Sequence, residues 1–321
     1  MSTKSDKKRR NWGEIPTKLP SPIIDTHAHI DMIDDWVKDI NQNNLIKARR
    51  PINNPSFKEI AKTSLKSNIN NFIQCACDYK KINNLSNVLD SIGEIISSPI
   101  AAVAIHPNEA ALHDGLADIS PDGLTPRLQA IHKQYNLPQA IEVVRQKITN
   151  DNRIRVVGET GLDFYRTAET GWESQIKSFR QHIEIAKQYN LALQIHDRLA
   201  HKKILEILQA DIPPERVIFH SFSGDSTMAE FCCKQGWYLS YSGPITFKNN
   251  HNSQAALKST NLNYLLLETD CPFLAPEPNR GRPNAPVYTA NVATFISNFL
   301  DLDLTEFCQK TYNNTLQVLD L

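Results

Sequence analysis

The sequence predicts an α/β protein that forms a single domain with extended loops, built as a closed (β/α)8 barrel of the TIM type. The chain has 321 residues, 40% of them hydrophobic, so it can bury a large core. Eight short apolar runs recur along it, each followed by a polar residue and then by a longer stretch with helical spacing. That alternation is typical of parallel βα units, and eight units around one core need about 250 residues.

The predicted strands are these apolar runs, which are too short to be helices of ordinary length. The helical pattern is clearest at residues 173–189, where Ile176, Phe179 and Ile183 recur at steps of three and four residues. We expect this stretch to be an outer helix of the barrel. The predicted strands cover residues 23–24, 72–76, 100–105, 154–157, 191–195, 217–219, 237–241 and 264–267.

Two stretches, 34–70 and 113–153, are longer than a minimal connection between neighbouring strands. Neither has enough apolar residues for a core of its own, so we interpret both as insertions into the barrel. Residues 1–20 are basic and lead into no apolar stretch, which excludes a secretory signal and predicts a flexible tail. The barrel is then expected to span residues 21–321.

Basic and acidic residues balance at 35 each, so no protein-wide positive field attracts nucleic acid or anionic lipid. The six cysteines are too sparse for a disulfide scaffold and form no paired zinc motif, which favours a cytoplasmic location. The longest apolar runs are far too short to cross a bilayer. We therefore expect no membrane association, and the sequence indicates no obligate protein partner.

Histidines or carboxylates follow six of the eight predicted strands. The carboxyl ends of parallel strands open on one face of a barrel, which is where barrel enzymes have their active sites. We therefore expect these side chains to converge although they are far apart in sequence. They are His27, His29, His106, Glu159, His196, His220 and Asp270.

The first pair and the central carboxylate have the spacing of metal ligands. His27 and His29 stand at i and i+2, so on an extended chain they point the same way and can bind one ion. A pair of hydrogen-bonded histidines at a strand end is the alternative. Glu159 lies between glycines that let the backbone bend, and its two oxygens can bridge two cations. A helix cap or a solvated turn would use similar residues.

The remaining candidate ligands indicate a metal site only when they are considered together. Taken singly, His196 and His220 are also compatible with ordinary core or rim histidines, and Asp270 with a turn residue. Together with the first three residues they offer four imidazoles and two carboxylates, a mixture that suits a borderline divalent ion such as zinc, manganese or nickel.

This donor set predicts hydrolysis without a covalent intermediate. Two cations about 4 Å apart can lower the pKa of a shared water towards ~7 and neutralise the oxygens of an attacked phosphate. Asp270 could accept the proton of that water. Arg198 and Arg282 follow strands and could hold neighbouring phosphates, although solvated surface charge is the alternative for Arg282.

Seven short motifs, taken in order, resemble the TatD-type metal-dependent deoxyribonucleases of the amidohydrolase superfamily. The resemblance covers roughly residues 22–320. Each motif alone is weak, and their combination is specific. The motifs are DTHAHID at 25–31, IHP at 105–107, GETGLDFY at 158–165, HDR at 196–198, HSFSG at 220–224, SGPIT at 242–246 and TDCPFLAP at 269–276.

The resemblance implies a TIM-type barrel with two divalent ions (Zn, Mn, Mg or Ni) and nucleic acid as the substrate, DNA or possibly RNA. It implies exonuclease action, for which we expect single-stranded DNA because a rim pocket admits a flexible strand more easily than a duplex. By this resemblance one ion would be held by His27, His29, Glu159 and Asp270, and the other by Glu159, His196 and His220.

Catalysis is accordingly expected from Asp270 and Glu159, and substrate contacts from His106, Arg198 and Arg282. Two other functions stay open at this point. One is hydrolysis of a small ester, amide or phosphoester by the same activated water. The other is a catalytically silent metal-binding scaffold.

The chain also departs from the family pattern. Asn108 stands where members often have another histidine or an acidic residue, and Pro283 and Ala285 replace charged residues of a later loop. A contact to phosphate or strand can therefore be missing there.

Overall fold

The computed structural model describes residues 12–42 and 55–321, and its single sheet confirms the predicted fold class. Eight parallel strands pair in sequence order, and a parallel bridge between Ala28 and Cys271 joins the end of the first strand to the segment after the eighth. The barrel is therefore nearly closed. The strands are β1 (Ile23–Ala28), β2 (Ile69–Ala76), β3 (Ile100–Val103), β4 (Ile154–Asp163), β5 (Ala192–Arg198), β6 (Val217–Phe219), β7 (Tyr238–Tyr241) and β8 (Leu265–Leu267).

Helices surround the sheet, and within the described ranges none is long and apolar enough to span a bilayer. The helix expected at 173–189 is present and buries Phe179 and Ile183 against the strands. The α-helices are α1 (Ile33–Gln42), α2 (Phe57–Lys66), α3 (Tyr79–Gly93), α4 (Pro107–His113), α5 (Ala130–Gln134), α6 (Leu137–Asn150), α7 (Trp172–Tyr189), α8 (His201–Asp211), α9 (Ser226–Lys234), α10 (His251–Ser259), α11 (Thr289–Phe299) and α12 (Leu304–Leu319).

Three strands run further than their apolar residues predict. β1 continues through His27, β4 continues past Glu159, and β5 includes His196. The strand ladder uses only backbone groups, so it continues where the side chains become polar; Gly161 of β4, for example, still pairs with His196 of β5. These three residues therefore lie within strands, and the prediction that they follow the strand ends was wrong by a few residues.

The long stretch 113–153 contains α5 and α6. Helix α6 buries Leu137, Ile141 and Val144 and packs against α3 and α7, so it is one of the outer helices. Of the stretch 34–70, residues 43–54 lie outside the described ranges, and α2 packs against β2 and α3.

The predicted tail, residues 1–20, falls partly outside the described ranges, which begin at Trp12. The described part contacts the barrel. Leu19 is buried and its backbone N–H donates to the carbonyl of Ser67 at 3.2 Å, while the carbonyl of Gly13 accepts from the Tyr288 hydroxyl at 3.0 Å. The segment up to residue 20 is thus packed from Trp12 onward, and the domain boundary at 20/21 stays a prediction.

Candidate metal centre

The rim of the barrel brings together the histidines of β1 and the carboxylate of β4. His27 is fully buried, and its Nε2 lies 3.0 Å from Nε2 of His29, as expected from two side chains that point the same way. Glu159 Oε1 lies 3.6 Å from His27 Nε2 and 3.2 Å from His29 Nε2. This oxygen therefore faces the first pair of histidines.

The second oxygen of Glu159 faces a second pair of histidines. Oε2 lies 3.0 Å from His196 Nδ1 and 2.8 Å from His220 Nε2, and these two ring nitrogens are 3.2 Å apart. β5 carries His196, and His220 directly follows β6. The carboxylate thus stands between two groups of imidazoles and presents one oxygen to each.

Asp270 completes the first group. It follows β8, and its backbone N–H donates to the carbonyl of His27 at 2.9 Å, which anchors the residue beside β1. Its Oδ1 lies 3.7 Å from His27 Nε2 and 3.8 Å from His29 Nε2. All six predicted ligands therefore meet around Glu159.

Close approach of β4 and β5 explains the glycines beside Glu159. A Cβ atom at Gly158 would lie 2.5 Å from Cβ of Gln194, and one at Gly161 would overlap the carbonyl oxygen of His196. Gly161 also has a φ of 139°, which side chains rarely adopt. These glycines thus let two strands approach, in addition to the bending expected from the sequence.

Outer hydrogen bonds orient the first two imidazoles. Nδ1 of His27 lies 2.8 Å from Oε1 of Gln194, and Nδ1 of His29 lies 3.3 Å from the carbonyl oxygen of Cys75. Each ring therefore directs its Nε2 towards the centre. Such a partner on the far nitrogen is usual for metal-binding histidines, because it fixes both the tautomer and the ring plane.

Two buried carboxylates face the outer ring nitrogens of the second pair of histidines. Asp163 Oδ2 lies 3.2 Å from Nε2 of His196, and Glu268 Oε1 lies 3.4 Å from Nδ1 of His220. Glu268 also accepts a hydrogen bond from the backbone N–H of Ser221 at 2.7 Å. Both histidines are thus held between Glu159 and an outer carboxylate.

The electrostatics follow from this packing. Burial alone would raise the pKa of Glu159, but the surrounding histidines, led by His220, outweigh it and hold the pKa well below its usual range. For His196, burial lowers the pKa, whereas hydrogen bonds to Asp163 and Glu159 together raise it to about 9. Burial raises the pKa of Asp270. The centre concentrates negative charge and ring nitrogens in a small volume.

The donor set fits divalent metal ions. Ligand atoms lie within 4.8 Å of one another in four groups that share members, one of which, His29, Cys77 and Glu159, includes a thiol. Mixed imidazole and carboxylate donors with oriented rings suit borderline ions such as zinc or manganese. The three groups of imidazoles and carboxylates alone are His27, His29 and Asp270; His27, Glu159 and His220; and His106, Glu159 and His196.

His106 adds a hydrogen-bond donor to this rim. Its Nδ1 accepts from the backbone N–H of Asn108 at 3.1 Å, which leaves the proton of the neutral ring on Nε2, 3.8 Å from Glu159 Oε2. Burial lowers the pKa of His106 to about 3, so the ring is neutral at physiological pH. The side chain of Asn108 extends the network, because its Nδ2 donates to Asp163 at 3.4 Å.

The two predicted arginines have different surroundings. The guanidinium of Arg198, the last residue of β5, lies over the ring of Tyr165 on the loop after β4, 4.4 Å from the ring centre. Arg282 donates instead to the backbone carbonyl of Trp12 at 3.1 Å and so holds the N-terminal segment. The expectation that Arg282 contacts substrate stays a prediction, and its hydrogen bond indicates a packing role.

Three supporting residues, Asp163, Gln194 and Glu268, were not predicted as site residues. A signal for two of them exists in the sequence, because Gln194 and Glu268 stand two positions before His196 and Asp270. On a strand that spacing places side chains on one face. Asp163 lies inside a motif that was identified, GETGLDFY, but its partner His196 becomes evident only from the pairing of β4 with β5.

The chain is similar to known proteins over nearly its whole length. The model of the family described as TatD related DNase matches residues 24–320. A protein of Buchnera aphidicola named as an uncharacterized metal-dependent hydrolase is 28% identical over 91% of this chain and 97% of its own.

Two solved structures share the fold. A TatD homologue from Escherichia coli superposes with a TM-score of 0.71 at 22% identity, covering 93% of this chain and 98% of its own. A TatD family hydrolase from Entamoeba histolytica gives 0.73 at 14% identity, covering 94% and 99%. These findings confirm the resemblance carried by the motifs: the chain belongs to the TatD related DNase family of metal-dependent hydrolases.

Proposed function

We propose that this hydrolase is a nuclease that acts as an exonuclease on single-stranded DNA, using two divalent ions at the barrel rim. The observation that carries the proposal is the division of Glu159 between two groups of imidazoles, with Oε1 facing His27 and His29 and Oε2 facing His196 and His220. A carboxylate so placed can bridge two cations.

The proposed ligands follow from the same geometry. His27, His29, Glu159 and Asp270 would hold one ion, and Glu159, His196 and His220 the other. When bound, two such ions lower the pKa of a shared water and neutralise charge on an attacked phosphate. The candidate ions are zinc, manganese, magnesium and nickel.

The remaining steps belong to side chains of this chain. Asp270, at the edge of the first group, accepts the proton of the attacking water. His106 donates from Nε2 to a phosphate oxygen, which its neutral tautomer permits. Arg198, stacked on Tyr165, pairs with a neighbouring phosphate, and the aromatic ring beside it offers a surface on which a base can stack.

The experiment uses protein stripped of metal and then given Mg²⁺, Mn²⁺ or Zn²⁺. We expect linear single-stranded DNA labelled at either end to be shortened and circular single-stranded DNA to stay intact, because an exonuclease needs an end. RNA of the same sequence tests the substrate class. Asp270→Asn should reduce the rate by about 10²–10⁴-fold, while the exposed Asp301→Asn serves as a matched control.

Other outcomes would contradict the proposal. Cleavage of the circle would show endonuclease action. Turnover of model esters or phosphoesters without cleavage of nucleic acid would favour a small-molecule hydrolase. Metal bound with no hydrolysis of any substrate would favour a silent scaffold.

The setting of this activity is also a proposal. We propose the cytoplasm, supported by six free cysteines, five of them buried, which a reducing environment preserves. We further propose that residues 21–321 form one catalytic domain and that residues 1–20 are an extension of it.

A further inference from the structure

A second group of metal-binding side chains lies outside the centre described above. Glu109 and His113 stand four residues apart on α4, which places them on one face of the helix. His132 of α5 packs against that face, with its Nε2 2.8 Å from Oε2 of Glu109. One ligand atom from each of the three residues lies within 4.8 Å of the others.

One nitrogen of this group is buried without a partner. His113 is only 3% exposed, and its Nδ1 donates to the carbonyl oxygen of Tyr135 at 2.6 Å. The other nitrogen, Nε2, makes no hydrogen bond within the described part of the chain. A ring that donates from one nitrogen to a backbone carbonyl has the orientation of a typical metal-binding histidine, and its free lone pair requires a proton donor or a cation.

The distances leave room for an ion. A point equidistant from three atoms that are at most 4.8 Å apart is at most about 2.8 Å from each, against about 2.0–2.2 Å for zinc bonds to nitrogen and oxygen. Side-chain rotations that move these atoms by less than about 1 Å would form the site, with Glu109 Oε2 and His132 Nε2, now 2.8 Å apart, separating slightly. The Glu109 side chain is 24% exposed, so an ion can enter from solvent.

His132 must give up two hydrogen bonds to bind an ion through Nε2. Its Nδ1 accepts from the backbone N–H of Gln129 at 3.1 Å, which places the proton of the neutral ring on Nε2. Binding an ion at Nε2 moves that proton to Nδ1 and releases the bond at the start of the five-residue helix α5. The exchange costs this hydrogen bond and the one between His132 Nε2 and Glu109 Oε2, and it gains metal bonds to both of those atoms.

We propose that Glu109, His113 and His132 bind a divalent cation of the zinc class, separate from the metal centre at the rim. Two imidazoles and one carboxylate are a common zinc donor set. The ion would join α5 to α4, and thereby fasten the long stretch 113–153 to the helix that begins directly after His106. Three protein ligands leave the fourth coordination position to water, and because they lie on two helices the ion would stabilise the contact between α4 and α5.

The test counts zinc ions per chain after equilibrium dialysis, by mass spectrometry of the metal. Glu109→Gln, which keeps the shape of the side chain and removes its charge, should bind one ion fewer than the unchanged protein. Glu142→Gln, on the exposed face of α6, is the matched control and should lose none. The pair is compared again in protein carrying His220→Ala, so that partial occupancy of the second rim site does not enter the difference.

An equal ion count in Glu109→Gln and the unchanged protein, in both backgrounds, would overturn the proposal. A measurement without any variant guards against misfolding: crystals of the unchanged protein soaked in zinc should give an anomalous peak between the three side chains. Its absence would equally overturn the proposal. Both readouts are independent of hydrolysis, so a failure of the nuclease assignment leaves them unaffected.

Discussion

Replacing Glu268 with glutamine tests how the second pair of histidines is oriented. Glu268 is fully buried, and its Oε1 faces His220 Nδ1 at 3.4 Å while accepting from the backbone N–H of Ser221 at 2.7 Å. The amide oxygen of glutamine can keep the bond to Ser221. The variant Glu268→Gln therefore removes mainly the charge that holds the proton of His220 on Nδ1.

The size of the effect follows from the role of an outer carboxylate at ion-pair distance. Loss of an outer partner of a metal-binding histidine typically weakens metal affinity by about 10–100-fold, and each factor of ten corresponds to about 1.4 kcal/mol. We therefore expect Glu268→Gln to weaken the binding of one ion by about 10–100-fold.

The assay is competition for zinc with a chromogenic chelator, which resolves the weakest ion of each protein. Glu277→Gln, an exposed carboxylate on the loop after β8, is the control and should bind as the unchanged protein does. Circular dichroism verifies the fold of both variants. Equal zinc affinity of Glu268→Gln and the control would refute the reasoning that Glu268 orients His220.

Three further predictions concern stability and packing. Hydrogen bonds led by Arg153 lower the pKa of Asp151 to about 2. Asp151→Asn should therefore lower the free energy of unfolding by about 1–2 kcal/mol at pH 7, a value that allows for the partial exposure of Arg153. The folded pKa lies below the unfolded one, so in urea titrations this difference should vanish as the pH falls from about 4 through about 2; a constant difference would contradict it. Gly161→Ala should reduce both the melting temperature and metal binding, because its Cβ would overlap the His196 carbonyl; unchanged zinc affinity and melting would show that the strands can separate freely. Phe179→Ala, at a fully buried position on α7, should cost about 3–5 kcal/mol of unfolding free energy, and a loss below 1 kcal/mol in denaturant titration would mean that this helix packs loosely.

The sequence was sufficient to predict the architecture because parallel strands that are buried on both faces consist of continuous apolar runs. Eight runs predicted eight strands, and each predicted run overlaps an observed strand. The positions of the strand ends could not be predicted as well. Apolar residues indicate only the part of a strand that is buried in the core, whereas backbone pairing extends β4 to Asp163 and β5 to Arg198.

The sequence also identified the six residues that meet at the rim, because histidines and carboxylates near the carboxyl ends of parallel strands share one face of a barrel. Their distances could not be predicted. Glu159 lies between two pairs of imidazoles only because β4 approaches β5 at Gly158 and Gly161, a closeness set by the register of two strands.

Tertiary structure alone decided which residues support the centre. Gln194 meets His27 across 167 positions of sequence, and the Asp270 backbone N–H meets the carbonyl of His27 where the barrel closes. The hydrogen bond from Arg282 to the backbone carbonyl of Trp12 likewise joins residues that are far apart in sequence. Local sequence determines which backbone segments become strands and what side chains they carry; the closure of the barrel determines which of those side chains touch, because contacts between distant segments depend on register and packing.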